Sequence, residues 1–117
     1  MRTFKFRGWH QTAKEMVYDE NFGDVLRWYR EGQPLEIMQY TGLKDRNGKE
    51  IYEGDVTRGG AYLHQIVWMD DKANYGAKVI RGEGVLVRNL TFPLRYVDAL
   101  EVIGNIYENT DLLEANT

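Results

Sequence analysis

Turn residues interrupt this chain about every 8 to 12 residues, a spacing that limits what can form between them to short elements. Residues 19–21, Gly32 with Pro34, Asn47-Gly48, Glu53-Gly54-Asp55, Gly59-Gly60, residues 70–74, Gly82 with Gly84, and Pro93 are the interruptions. Between them apolar and polar residues mostly alternate, the period of a strand rather than of a helix. Phe4 and Phe6 share a face with Gly8, with Lys5, Arg7 and Trp9 on the other. Leu35, Ile37 and Gln39 likewise oppose Glu36, Met38 and Tyr40. In residues 61–69 both faces are partly apolar, with Tyr62, His64, Ile66 and Trp68 opposite Leu63, Gln65, Val67 and Met69, which predicts a strand lying centrally in its sheet.

The pattern predicts an N-terminal hairpin from residues 3–9 and 15–18, a strand over 35–40, a strand starting at Val56, and further strands over 61–69, 75–81, 85–90, 95–97 and 100–107. Phe22, Val25, Leu26 and Tyr29 fall at helical spacing, but Gly23 lies among them and favours a strand or a single helical turn. Asn47-Gly48 predicts a tight type I′ turn, since both residues tolerate positive φ. Gly104 marks a bulge or a close backbone contact. Asn109 offers an N-cap for a short C-terminal helical turn through Asp111, Leu112, Leu113 and Glu114. The expected architecture is mainly β and a single domain over 1–117. It comprises a small SH3-like barrel over about residues 50–107, N-terminal strands within 1–49 packed against it, and a C-terminal turn over 108–117.

At 117 residues the chain is long enough to bury about two-thirds of its unfolded surface without staples. It contains no cysteine, which excludes disulfides, thiolate catalysis and the usual zinc ribbons and fingers. Its apolar residues never form the run of roughly 18 that a membrane span requires. The start, MRTFKFRGWHQTAKEM, lacks the apolar block of a secretory signal, so the expected location is the cytoplasm. Residues 1–14 carry four basic and no acidic side chains, residues 96–117 five acidic and no basic ones, which suggests that the two ends are neighbours.

Three stretches resemble the YopX family of phage and prophage proteins. They are Lys5-Phe6-Arg7-Gly8-Trp9, the central run Gln39-Tyr40-Thr41-Gly42-Leu43-Lys44-Asp45 with Asn47-Gly48-Lys49-Glu50-Ile51-Tyr52-Glu53-Gly54-Asp55, and the closing Val102-Ile103-Gly104-Asn105-Ile106-Tyr107-Glu108. Gly8 stands where the family is expected to have Ala, and His10 where it has Asp. The resemblance implies a β-barrel fold and a bacterial host cell carrying a phage or prophage. It supplies no established activity and no catalytic residues.

Read residue by residue, the chain offers little chemistry. His10 and His64 lack the further ligands and spacing of a metal site, so no metal is expected, and the two read as an exposed hairpin histidine and a strand histidine bonded to its neighbours. Asp70-Asp71 reads as a solvated turn. Gly54-Asp55 and Gly82-Glu83-Gly84 lack the Lys and Ser or Thr of a phosphate loop. No nucleophile and base can be placed together, so no enzyme, cofactor or small-molecule substrate is expected.

Two binding classes remain. The aromatic content of 13% is high for so short a chain; most of it is expected in the core, and rings left at the surface, such as Trp9 and Trp28, with sheet edges, favour protein partners, including a second copy in a homo-oligomer. The alternative is a single-stranded nucleic-acid-binding barrel, with Lys44, Arg46 and Lys49 in one loop and Tyr40 or Tyr52 stacking on a base. The acidic balance and the interleaved Asp45 and Glu50 weaken that alternative. The candidate partner-binding residues are therefore Trp9, Trp28, Tyr40, Lys44, Arg46, Lys49 and Tyr52.

Overall fold

The structure is a computed structural model, and it describes residues 3–82, 91–94 and 97–113. Strands β1 (Phe6–His10) and β2 (Glu15–Tyr18) form the expected hairpin, with Arg7 opposite Tyr18 and Trp9 opposite Met16. β1 also pairs with β3 (Leu35–Lys44), which continues four residues beyond the predicted stretch and pairs in turn with β4 (Glu50–Tyr52). These make a four-stranded sheet in the order β2-β1-β3-β4.

The second sheet holds β5 (Asp55–Gly59), β6 (Tyr62–Met69), β7 (Asn74–Arg81), β8 (Thr91–Pro93) and β9 (Glu101–Asn105), in the order β8-β7-β6-β5-β9. It curls into a half-barrel, and β6 lies at its centre as its two-sided apolar pattern predicted. The fold is mainly β, with the N-terminal strands packed on the curled sheet. Ile51 of β4 meets Ile66 and Ala77 in the shared core, with Leu94, Val97 and Val102 packed around them.

Several local expectations need correction. Residues 24–30 form a helix, α1 (Asp24–Arg30), not a strand or single turn. Gly23 sits at its N-cap with φ of 84°, outside the helix, where its conformational freedom starts the element instead of breaking it. The 47–48 turn is not type I′. Only Gly48 has positive φ, and Asp45 and Lys49 close the loop, the pattern of a three-residue hairpin with glycine in the left-handed position. Pro93 is itself the last residue of a strand. It lies on edge strand β8 opposite Gly76, where a missing N–H costs no ladder bond. Val97 begins a 3₁₀ turn (Val97–Ala99), and the strand predicted over 85–90 and the start of that over 95–97 lie outside the described residues.

Gly104 does mark a bulge. The β5–β9 register slips between Val56, opposite Gly104, and Thr57, opposite Val102, and a side chain at Gly104 would meet Asn109 Oδ1 at 2.5 Å. That oxygen accepts from the Asn105 N–H, so Asn109 ties back to β9 before the 3₁₀ turn Thr110–Leu113 begins; Glu114 lies outside the described residues. Among the described residues no ion pair links the basic start to the acidic end. Lys5 pairs with Glu50 and Arg7 with Asp55, while Glu101 pairs with Arg46 and Arg58. What joins the two ends is a stack of rings, Trp9 on Tyr107, with centroids 5.6 Å apart.

Candidate functional site

Two groups of buried polar residues stand out, and they differ in how far they are satisfied. The first lies between the sheets. The positive φ of Gly54, 86°, turns the chain sharply from β4 into β5 and aims Asp55 at β1. Asp55 Oδ1 meets the Arg7 guanidinium at 2.8 Å, both side chains being buried, and Asp55 Oδ2 accepts from the Tyr52 N–H. Arg7 Nη2 also donates to the Glu53 carbonyl, and its guanidinium lies 4.8 Å from the centre of the Tyr52 ring. Burial pushes the Asp55 carboxyl above its ordinary range, while the Arg7 charge and the Tyr52 N–H pull against it. Tyr52 itself, buried among Tyr40 and Tyr18, has its phenol pushed up by the same loss of water.

Asp45 completes this junction. Its carboxylate accepts from the N–H groups of Asn47 and Lys49, closing its own loop, and from the Val102 N–H of β9. Burial alone would raise its pKa. The three backbone donors and the Lys49 charge outweigh that effect and hold it below the usual carboxylate range. With Arg46 N–H donating to the Leu100 carbonyl, the 45–49 loop covers the outer edge of β9. Apart from Arg7 Nε, which has no partner among the described residues, these groups are occupied with one another, which makes them the clasp of the fold.

The second group faces the half-barrel interior. Thr57 on β5 lies directly opposite His64 on β6, and His64 opposite Val79 on β7, so the three share the face that carries Ile66 and Ala77. Among the described residues neither the buried His64 Nδ1 nor the buried Thr57 Oγ1 has a hydrogen-bond partner. Burial lowers the His64 pKa, which keeps the ring neutral at neutral pH. His64 lines a pocket of about 230 Å³ whose other walls include Gly59, Ala77, Phe92, Leu94 and Leu100. A hydrogen bond to the Thr57 backbone opposes the lowering of the His64 pKa and agrees with the sequence reading of a strand histidine bonded to its neighbours, while Nδ1 has no partner. Strand alternation could have placed His64 and Thr57 on the inner face, but only the pairing register puts them opposite each other.

A larger pocket of about 340 Å³ lies beside α1, between Trp28, His10, Val17 and Leu35. Its histidine is spoken for. His10 Nδ1 accepts from the Ala13 N–H, and Nε2 bonds Gln33 Oε1 at 3.0 Å.

The residues singled out from sequence separate into three places. Trp9 is half-buried on Tyr107, and Trp28 is half-buried in the α1 pocket. Lys44, Arg46 and Lys49 lie exposed in and beside the 45–49 loop, with Arg46 3.3 Å from Glu101. Tyr40 and Tyr52 are core residues, 6% and 5% exposed, packed against each other and against cationic side chains. They cannot stack on a base, which corrects their reading as surface rings. Phe22, Leu26 and Tyr29, exposed apolar residues at and beside α1, were not among the candidates, because the sequence reading there weighed helix against strand and not exposure.

Among the described residues no group of three or more His, Asp or Glu side chains could hold a metal, and no helix is long and apolar enough to cross a membrane. What the fold and its polar groups define is a small, mainly β protein with a curled sheet and a second sheet clasped to it. The YopX protein family model matches residues 24–114, and the chain belongs to that family. It is also similar to the crystal structure of protein EF1440 from Enterococcus faecalis, with a TM-score of 0.60 and 28% identity over 97% of this chain and 100% of the other. No curated protein matches significantly.

Proposed function

We propose that the chain is a noncatalytic protein-interaction or assembly module of phage or prophage origin, working in the cytoplasm of a bacterial cell, and that its first partner is a second copy of itself. The observation that carries this reading is the outer side of α1. The helix buries Val25 against β1 and β3 but leaves Leu26 and Tyr29, three residues apart and hence on one face, 41% and 55% exposed, while Phe22 in the turn leading into it is 86% exposed. Exposed apolar residues gathered in one place favour protein contact.

The sheet edges narrow the surface further. β9 is covered by the 45–49 loop, and β8 is three residues long and ends in proline, both devices that block edge-to-edge pairing. β2 is an edge strand beside α1; its Val17 shares the α1 face with Gly8, while Tyr18, opposite Arg7 and against Tyr52, lies on the other face.

Light scattering coupled to size-exclusion chromatography tests the reading. The wild-type chain is expected to show a defined mass above 13.7 kDa that holds across concentration, and a Leu26→Ser/Tyr29→Ser variant is expected to fall to the monomer mass. A wild-type protein that is monomeric at every concentration would contradict self-assembly.

A further inference from the structure

The outer side of α1 carries charge as well as apolar surface. Tyr29 and Arg30 follow Leu26 by three and four positions, the spacing that puts side chains on one side of a helix, and all three are exposed. Glu20 and Phe22, exposed too, stand in the turn that leads into the helix. Given the self-assembly proposed above, on which this step rests, we infer that two copies meet with their α1 helices antiparallel across a two-fold axis, Glu20 of each lying against Arg30 of the other.

The charges around α1 single out this pair. Asp19 accepts from the N–H groups of Phe6 and Val25, and Asp24 accepts from the Asn21 N–H and pairs with Arg27 at 3.5 Å. Glu31 lines the pocket with Trp28, Val17 and Leu35, which places it on the sheet side of the helix, away from the outer stripe. Glu20 and Arg30 are left. Among the described residues neither side chain has an ion pair or a hydrogen bond, and they stand at opposite ends, the acid before the first turn and the base in the last.

Symmetry decides how two such surfaces fit. In a closed dimer of identical chains the same surface meets itself, so each contact of one residue with another occurs twice, once in each direction. Parallel helices would set Glu20 against Glu20 and Arg30 against Arg30, and like charges brought together in a contact oppose it. Antiparallel helices set an acid against a base at both ends. The apolar residues agree with that arrangement. A helix rises about 1.5 Å per residue, so a two-fold axis beside Leu26 lays Phe22 of each copy over Tyr29 of the other. Phe22, 86% exposed in the single chain, thereby gains an aromatic partner, and Leu26 meets its own counterpart near the axis.

The test is the dimer dissociation constant of the full chain, measured by sedimentation equilibrium for the wild type, Glu20→Arg, Arg30→Glu and the double variant. Each single reversal sets like charges together at both ends and is expected to weaken the dimer about tenfold. Glu20→Arg/Arg30→Glu exchanges the two charges and is expected to return to within about threefold of the wild type. Both positions are exposed, so every variant is expected to keep the wild-type circular dichroism. Single reversals that leave the constant unchanged, or a double variant no tighter than the singles, overturn the antiparallel pairing while the self-assembly reading stands. A wild-type chain that is monomeric at every concentration overturns both.

Discussion

At the junction between the sheets, Arg7, Asp45 and Asp55 are buried with partners on almost all of their polar atoms, Arg7 Nε being the exception among the described residues. On the inner face of the half-barrel, His64 Nδ1 and Thr57 Oγ1 are equally shielded and have none. The junction uses its polar groups to fix how two sheets meet, since each charge there is matched by a group on a different strand. The half-barrel interior leaves these two atoms without a hydrogen-bond partner among the described residues. Removing polarity should therefore have opposite effects in the two regions.

The largest effect is expected at the Arg7–Asp55 pair. Asp55→Ala leaves a buried guanidinium without its counter-charge and is expected to cost about 3–5 kcal/mol in urea denaturation. The double replacement Arg7→Met/Asp55→Leu removes both charges and is expected to recover most of that loss. If the single variant loses less than about 1 kcal/mol, the pair does not clasp the sheets.

Asp45 comes next. Asp45→Ala leaves the N–H groups of Asn47, Lys49 and Val102 without their acceptor, and a loss of about 1–3 kcal/mol is expected. The same group sets a pH dependence. Its folded-state pKa is depressed, so its contribution is complete above the unfolded carboxylate value of about 4 and is lost as pH falls through the folded value. Unfolding free energies of wild type and Asp45→Asn are expected to differ at pH 6 and to converge below about pH 4. A gap that stays constant down to pH 2 would show that ionisation of Asp45 is not the source.

The smallest effect is expected at Gly8. A Cβ there would meet Val25 Cγ1 and Leu35 Cβ at 3.3 Å, a contact that small shifts relieve, while alanine restricts the unfolded chain. Gly8→Ala is expected to change stability by less than about 1 kcal/mol, measured by the thermal midpoint and converted at fixed conditions.

Much of the architecture was legible in the sequence because its signals are local. Alternation with turn punctuation placed the β1–β2 hairpin, the central strand β6 and the bulge at Gly104. The residues 22–29 misled because Gly23 was counted inside the helix that it starts. The 47–48 turn misled for a related reason, since whether Asn47 joins Gly48 at positive φ depends on Asp45, whose carboxylate fastens the loop. The candidate site was far less legible. Tyr40 and Tyr52 flank the cationic loop in sequence, yet the β3–β4 register turns both inward on each other. Thr57 and His64 are seven positions apart in the chain and carry no motif, and it takes the β5–β6 pairing to bring them face to face. Family resemblance reaches the fold by way of its turns and does not reach the pocket.

The contrast between clasp and pocket is tested most directly by the urea-unfolding free energy of Thr57→Val, a replacement of nearly the same shape that removes the buried hydroxyl. The expected result is a stability equal to the wild type or up to about 1 kcal/mol higher, with an unchanged denaturant slope. A loss of more than about 1 kcal/mol would mean that the Thr57 hydroxyl is bonded within the folded chain, and the pocket would then be as closed as the junction.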